Sequence, residues 1–207
     1  MTRRDFIKNS GLTIAGLGLS GLSMPTVFAQ GSPGKKIVVA VMGVNGRGNY
    51  LAQVFAKMPG CEVAAICDVD ERAMNKTIND VAAIQKRKPA AQKDFRKALE
   101  DKGIDALVIA APDHWHAPAA IIACSMGKHV YVEKPLSHNP HEGELLIQAA
   151  RKYNRIVQMG SQRRSGNGLQ QMIADIRAGL IGNAYMAKTW YTNSRGPLYL
   201  KDAPVPS

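Results

Sequence analysis

The chain passes from Lys36-Ile37-Val38-Val39-Ala40-Val41-Met42 directly into Gly43-Val44-Asn45-Gly46-Arg47-Gly48. The first segment is a near-continuous apolar run rich in β-branched residues, which is typical of a parallel strand buried on both faces. After the glycines, residues 47–58 have the apolar spacing of a helix that Pro59-Gly60 ends. A strand, a glycine-rich turn and a helix in this order predict a site where the pyrophosphate of a dinucleotide lies against the helix N-terminus.

A second apolar segment supports this interpretation because it ends in an acid. It runs from Glu62 to Cys67 and stops at Asp68, 20 positions after Gly48. An acid near this distance binds the ribose hydroxyls of the cofactor and repels a 2′-phosphate, so we expect NAD in preference to NADP. The candidate cofactor contacts of this region are Gly43, Asn45, Gly46, Arg47, Gly48 and Asp68.

Asn45 departs from the usual glycine pattern, because a strict GxGxxG motif has glycine at its position. Asparagine tolerates left-handed backbone angles better than most residues, so we expect the turn to form with asparagine there. The alternative interpretation is a glycine turn in some other α/β domain.

Helices and strands continue to alternate after Asp68. The sequence predicts helices over 70–86, 95–102, 118–126 and 141–153, and strands over 90–92, 104–111, 129–132 and 156–159. Repeated βαβ units imply an α/β fold, a doubly wound parallel sheet of the Rossmann type. In such sheets ligands gather at the carboxyl ends of the strands.

The polar segment Pro112-Asp113-His114-Trp115-His116 follows one of these predicted strands and opens a helix. We therefore expect its side chains to face the cofactor crevice, with His116 at the nicotinamide-ribose end and Trp115 as a wall of the substrate pocket. The alternative is that these residues cap the helix and pack in the core.

The tripeptide Glu133-Lys134-Pro135 follows the next predicted strand. Proline disfavours helical angles at the preceding residue, so Lys134 is held extended and its ammonium can point into the crevice. A lysine in this position can shuttle the proton of an alcohol as hydride leaves the same carbon. Lys134 is therefore a candidate catalytic residue, and the alternative is a simple surface turn.

Composition is that of a packed soluble domain, with 45% hydrophobic residues and a formal net charge of +11 over 207 residues. The basic clusters are scattered and lack interleaved aromatic residues, so we expect no nucleic-acid partner. Cys61, Cys67 and Cys124 have the setting of small buried hydrophobes, and no metal-ligand spacing occurs in the sequence. We expect no metal site.

The N-terminus has a separate character. Thr2-Arg3-Arg4-Asp5-Phe6-Ile7-Lys8 precedes a glycine-rich apolar run and a small-residue cleavage pattern, so residues 1–29 are predicted to be a twin-arginine export signal. The run is too short for a stable membrane anchor. We expect the twin-arginine translocase as a partner, a periplasmic location and a tightly held NAD. The alternative is a chance arginine pair before an amphipathic helix.

From about Lys36 to Thr192 the chain resembles the glucose-fructose oxidoreductase and inositol dehydrogenase (Gfo/Idh/MocA) family. The motifs that carry the resemblance are the glycine loop, Pro112-Asp113-His114-Trp115-His116, Gly127-Lys128-His129-Val130 and Glu133-Lys134-Pro135. The resemblance implies an NAD-binding Rossmann domain over 35–160. It also implies that 161–207 hold a linker helix and, at 184–192, the first strand of a domain that binds a sugar or polyol and forms homo-oligomers.

The resemblance also assigns roles to individual residues. Catalytic roles fall on Lys134 and His116; further cofactor contacts are Pro112, Asp113, His116, Glu133, Lys134 and Arg164; and substrate contacts are Trp115, Trp190 and Asn193. The chain stops at Ser207, so most of the second domain, with the family's aspartate-histidine pair, is expected to be missing.

Three functions are compatible with these observations. The favoured function is an exported nicotinamide-dependent oxidoreductase that acts on a hydroxyl carbon of a sugar or polyol. The second is a glycoside hydrolase of the same superfamily that uses bound NAD for a transient oxidation. The third is a cofactor-binding protein without catalysis.

Overall fold

The computed structural model describes residues 36–192. The predicted export signal and Asn193 lie outside these residues. Six strands form one parallel sheet in the order β3-β2-β1-β4-β5-β6. The strands are β1 (Ile37–Met42), β2 (Cys61–Cys67), β3 (Ala90–Gln92), β4 (Ala106–Ile109), β5 (His129–Glu133) and β6 (Val157–Gly160).

Helices connect the strands and cover both faces of the sheet. They are α1 (Arg47–Lys57), α2 (Glu71–Gln85), α3 (Phe95–Leu99), α4 (His116–Ser125), α5 (Pro140–Lys152) and α6 (Asn167–Arg177). Short 3₁₀ helices precede α4 and α6, over Asp113–Trp115 and Gln162–Ser165. The strand order reverses direction between β1 and β4, which creates the crevice where such folds bind their ligands. The predicted Rossmann-type α/β fold is confirmed.

The core consists of two apolar clusters, one on each face of the sheet. Alternate residues of β1 enter different clusters: Val39 and Val41 pack with α1 and α2, whereas Ala40 packs with α4 and α5. A strand whose two faces are both buried reads as a continuous apolar run, which explains the sequence of β1.

One predicted strand is not formed among the described residues. Residues 184–192 form neither helix nor strand, and Tyr185 and Trp190 are exposed. A strand exists only when a neighbouring strand completes its hydrogen-bond ladder, and no strand among the described residues pairs with this segment. The linker helix expected after residue 161 corresponds to α6, which has no buried residue.

Two negative observations apply to the described part of the chain. Within residues 36–192 no helix is long and apolar enough to cross a membrane. The same residues contain no group of three or more His, Cys, Asp or Glu side chains arranged to hold a metal ion.

Candidate functional site

The glycine loop packs too closely for side chains at two of its positions. Gly43 has φ of 78°, and a Cβ there would lie 2.4 Å from the backbone nitrogen of Ala111. A Cβ on Gly48 would lie 2.0 Å from the carbonyl oxygen of Gly43. Contacts this short exclude any side chain, so the two glycines allow β1 to turn sharply and α1 to begin directly against it.

Gly46 supplies the left-handed conformation of the loop, with φ of 117° and open space around its missing Cβ. Asn45 does not have a positive φ. The left-handed backbone angle expected at Asn45 is adopted by Gly46, the residue that follows it. Gly46 precedes α1, whose N-terminus has no side-chain cap. Uncapped N–H groups next to open space form a cradle suited to a pyrophosphate.

A cleft of about 860 Å³ opens beside this loop. It lies at the carboxyl ends of β1, β2 and β4, and Gly43, Asn45, Asp68, Pro112 and Trp115 are among its lining residues. The cleft therefore brings together cofactor candidates from three separate segments of the sequence. The cleft has the position expected for the adenosine and pyrophosphate part of NAD. Its lining includes the glycine loop, which leads to the uncapped N-terminus of α1.

Asp68 ties β2 to the glycine loop. Its Oδ2 accepts a hydrogen bond from the Val44 N–H at 2.6 Å, and its Oδ1 accepts one from the Asp70 N–H at 2.9 Å. A carboxylate oxygen has more than one acceptor site. Asp68 can thus hold the loop and still accept hydrogen bonds from ribose hydroxyls in the cleft.

The cations around the cleft are neutralised by acids. Arg96 binds Asp94 at 2.8 Å, Lys93 binds Glu71 at 2.9 Å and Arg72 binds Asp70 at 3.2 Å. Hydrogen bonds from Arg72 hold the pKa of Asp70 below its usual range, and those from Arg96 do the same for Asp94. Both acids remain ionised at neutral pH, so the cleft lacks an unpaired cation for a 2′-phosphate among the described residues.

Lys134 follows β5 at the same carboxyl edge of the sheet. It is exposed, and its ammonium makes no hydrogen bond or ion pair with any other residue of the described region. The peptide bond between Lys134 and Pro135 is cis. A free ammonium at this edge can reach a bound ligand, as the sequence predicts.

His116, a predicted cofactor contact and catalytic residue, lies in the core. The side chain is 1% exposed, and both ring nitrogens contact backbone carbonyls: Nδ1 lies 2.5 Å from the Pro135 oxygen and Nε2 lies 2.8 Å from the Ala111 oxygen. Both ring nitrogens thus have backbone partners, and a contact of His116 with the nicotinamide ribose stays a prediction. His116 joins the segment after β4 to the segment after Lys134.

Glu133, another predicted cofactor contact, is likewise buried. The side chain is 3% exposed, and its oxygens contact Arg47, Gln162 and the Lys134 N–H. The Arg47 guanidinium is correspondingly directed to Glu133, at 2.8 Å. Arg47 can serve the pyrophosphate through its backbone at the start of α1, but its charge is used inside the protein.

The positions of the remaining predicted site residues do not by themselves indicate a role at the reacting end of the cofactor. Trp115 lines the dinucleotide cleft and packs edge-on against Phe95, with 6.3 Å between ring centroids, so it lies on the adenosine side and not beside Lys134. Asp113 is exposed in its 3₁₀ helix, Arg164 is exposed just after β6, and Trp190 is exposed in the irregular segment.

Sequence reasoning missed the role of Lys128. Its Nζ donates to the carbonyl oxygens of Asp101 and Ile104, at 2.7 and 2.8 Å, and the residue is buried. His129 accepts a hydrogen bond from the Ile156 N–H at 3.0 Å. These residues of the Gly127-Lys128-His129-Val130 motif therefore hold the amino edge of the sheet together. An isolated lysine after glycine gives no signal of that role.

The family profile described as an oxidoreductase family with an NAD-binding Rossmann fold, Gfo/Idh/MocA, matches residues 37–161. This match spans more than half of the chain, and the chain belongs to this family. It has an NAD-binding Rossmann domain, as the glycine loop and cleft require.

Solved structures of similar fold include enzymes that act on inositol. A myo-inositol 2-dehydrogenase from Lactobacillus plantarum has a TM-score of 0.64 and 24% identity, covering 72% of this chain and 43% of that chain. A scyllo-inositol dehydrogenase from Lactobacillus casei, solved with NAD(H) and scyllo-inositol, has a TM-score of 0.65 and 23% identity, covering 72% and 43%. Their similarity establishes the fold.

Curated relatives have a different activity in their names. A glycosyl hydrolase family 109 protein of Shewanella pealeana is 28% identical, covering 92% of this chain and 46% of the relative. An α-N-acetylgalactosaminidase of Shewanella oneidensis is 27% identical, covering 91% and 45%. The chain thus spans less than half the length of these relatives.

Proposed function

We propose that this protein transfers hydride between NAD and a hydroxyl carbon of a sugar or polyol. The observation that carries the proposal is the free ammonium of Lys134 at the carboxyl edge that also holds the dinucleotide cleft. In sheets of this type both halves of a dinucleotide lie along that edge. The cleft accounts for the adenosine half, which leaves the ends of β4, β5 and β6 for the nicotinamide.

Each part of the site has a separate role in the proposed reaction. NAD, when bound, supplies the hydride acceptor. The glycine loop and the start of α1 hold the pyrophosphate, and Asp68 binds the ribose. In its neutral amine form, Lys134 accepts the proton of the substrate hydroxyl at Nζ and becomes the ammonium, a step for which a positioned acid-base group supplies about 10² to 10⁴-fold in rate. The names of the inositol dehydrogenases support a polyol or sugar as the substrate.

A glycoside hydrolase is the second candidate, and the names of the curated relatives favour it. In this alternative, a transient oxidation of the sugar assists cleavage of the glycosidic bond and the cofactor is restored in each turnover. The same cleft and the same lysine serve both reactions. They differ in whether NADH accumulates.

One pair of assays separates these functions. The purified protein is incubated with NAD and myo-inositol or simple sugars, and then with an aryl α-N-acetylgalactosaminide. Accumulation of NADH with a polyol or sugar supports the oxidoreductase. Release of the aryl group without net NADH supports the hydrolase. Tight NAD binding with neither activity would leave the third function, a cofactor-binding protein without catalysis.

We also propose a cellular route and an assembly. The arginine pair at Arg3 and Arg4 favours export of the folded, NAD-loaded protein to the periplasm through the twin-arginine translocase. A reporter fused to residues 1–35 should be exported, and changing both arginines to lysine should retain it in the cytoplasm. Export of the variant at the normal level would contradict this proposal.

The proposed domain division places the cofactor domain at 35–160 and the start of a substrate and oligomerisation domain at 161–207. The exposed apolar residues Met172 and Ile173 of α6 support a packing role for this second segment. Sedimentation of the purified protein should show a homo-oligomer, and a monomer at all concentrations would contradict the assembly.

A further inference from the structure

Glu133, the last residue of β5, is a buried carboxylate at an edge that is otherwise open to ligands. A buried charge is stable only when it is paired and hydrogen-bonded, so its partners indicate its role. Arg47 Nε and Nη2 each lie 2.8 Å from Oε1 of Glu133. Gln162 Nε2 donates to Oε2 at 3.0 Å. Both carboxylate oxygens are therefore used inside the protein.

The partners of Glu133 come from distant parts of the sequence. Arg47 is the first residue of α1, directly after the glycine loop and 86 positions away. Gln162 begins the 3₁₀ helix after β6 and has φ of 50°, which is uncommon for a residue other than glycine. Such backbone angles persist where surrounding contacts enforce them, and they cluster at functional sites. Glu133 thus joins the pyrophosphate loop to the segment after β6.

Tyr131 and Gly160 complete the surroundings of this ion pair. Tyr131 also interacts with Arg47, and a Cβ on Gly160 would lie 2.4 Å from the Tyr131 hydroxyl oxygen. Burial raises the pKa of Tyr131, and the charge of Glu133 raises it further. The tyrosine stays neutral at physiological pH, so Glu133 carries the negative charge that balances Arg47.

We propose that Arg47 and Glu133 are a positioning pair that holds Lys134 in register with the glycine loop. Lys134 follows Glu133 directly, and its N–H lies 3.4 Å from Oε2 of that residue. The Glu133 side chain therefore contacts the backbone that carries the free ammonium. The inference rests on the proposed function, because it assigns the effect of the pair to the nicotinamide half of the site.

The test compares ligands that occupy different parts of the site. ADP-ribose fills the adenosine and pyrophosphate positions, whereas NADH adds the nicotinamide. Affinities for both ligands, the fluorescence emission of bound NADH and the melting temperature without ligand are measured for Glu133→Gln, Arg47→Met, Arg47→Lys and the double variant. The control is Glu62→Gln, because Glu62 is also largely buried and pairs with Arg87, near the amino end of β2.

We expect Glu133→Gln to leave ADP-ribose affinity within about threefold, since Glu133 lies beyond the pyrophosphate, and to weaken NADH about tenfold. Arg47→Met, at the start of α1, should weaken NADH more than ADP-ribose. The emission of bound NADH should shift toward that of free NADH. Arg47→Lys keeps the charge without the two contacts to Oε1 and should give an intermediate affinity. The double variant should be little worse than Arg47→Met alone, because both changes remove one interaction.

A purely structural role gives a different pattern. If ADP-ribose and NADH weaken by the same factor, or if Glu62→Gln has the same effect as Glu133→Gln, the positioning role is wrong. If Glu133→Gln does not fold, the affinities for ADP-ribose and NADH are compared in Arg47→Lys. An equal loss of affinity for both ligands in that variant would overturn the proposal. These measurements need no substrate, so an inactive protein with the expected ligand pattern would count against the proposed function and not against the pair.

Discussion

Two lysines stand at opposite ends of β5. Lys128, just before the strand, is buried and donates to the carbonyl oxygens of Asp101 and Ile104. Lys134, just after the strand, is exposed and has no partner for its ammonium among residues 36–192. Only five residues separate these two lysines, yet one ammonium is buried and hydrogen-bonded and the other is exposed without a partner among the described residues. A charge that the protein fully satisfies serves the fold, whereas a charge left without a partner is available to a ligand.

The two edges of the sheet differ in the same way. At the amino edge Asp105 accepts from the Val38 N–H at 2.8 Å, and Glu62 pairs with Arg87. At the carboxyl edge the uncapped N-terminus of α1 and the cleft remain open. Some charges at that edge are nevertheless balanced: Glu133 by Arg47, and Arg96 by Asp94 beside the cleft. Variants at matched positions can test how far this division holds.

The largest expected effect is that of Lys134→Met. The substitution keeps much of the apolar stem but removes the charge and the proton, so turnover should fall by about 10² to 10⁴-fold. Affinity for NAD should change little, because the pyrophosphate lies at the glycine loop, and thermal stability should also be retained. Steady-state rates and NAD titration measure both parts. Near-normal turnover with any substrate of the parent protein would make Lys134 a structural residue.

Lys128→Met should show the reverse pattern. It removes a donor from the buried carbonyl of Ile104 and one from the carbonyl of Asp101, which still accepts from the Ile104 N–H at 3.2 Å. A buried carbonyl left unsatisfied costs about 1 to 3 kcal/mol. The free energy of unfolding, from urea titration, should fall by at least that amount, while turnover per folded molecule is unchanged. Lys102→Met is the control, because Lys102 is exposed in the neighbouring loop. A loss of turnover in folded Lys128→Met protein would remove the distinction between the two lysines.

Asp68→Ala should reduce NAD affinity more than it slows the saturated enzyme. Hydrogen bonds to a charged group contribute about 1.5 to 3 kcal/mol, which corresponds to roughly ten- to hundredfold in affinity. Asp105→Ala is the matched control, since Asp105 also accepts from the backbone of a neighbouring strand but at the amino edge. Asp105→Ala should lower stability without changing NAD affinity. Equal losses of NAD affinity in both variants would mean that Asp68 only supports the loop.

The last prediction concerns Cys67, which lines the cleft but is buried. Burial, with smaller contributions from Asp94 and Asp68, raises its pKa from 9.0 to about 12. The unfolded chain then loses this proton at lower pH than the folded chain, so stability from this group is complete below pH 9.0 and declines toward pH 12. Urea titrations between these limits should show a weaker decline for Cys67→Ala. Identical declines would contradict the raised pKa.

Much of the cofactor half of the site was predictable from local sequence. The apolar run of β1, the glycines and Asp68 lie within one βαβ unit, where short-range spacing determines which groups meet. The position of Lys134 at the end of β5 was predictable for the same reason. The strand expected at residues 184–192 is not formed among the described residues, because a strand depends on a partner strand that local sequence does not reveal.

The roles of His116, Glu133 and Lys128 were not predictable, because their partners are distant in the chain. The Glu133–Arg47 contact spans 86 positions and the Lys128–Asp101 contact spans 27. Residue type alone made His116 and Glu133 candidates for chemistry, and only the structure shows that both side chains are buried with partners inside the protein. The left-handed angle at Gly46 and not at Asn45 is likewise a property of the folded loop.

The sequence by itself determined the alternation of strands and helices, the glycine cradle and the residue that ends each strand, since these depend on periodicity and on steric limits of neighbouring residues. The tertiary structure alone decided which charges are balanced and which remain free. That division follows from the order β3-β2-β1-β4-β5-β6, which brings the start of α1 beside the end of β5. Electrostatic pairing acts over a few ångströms in space, and separation along the chain does not limit it.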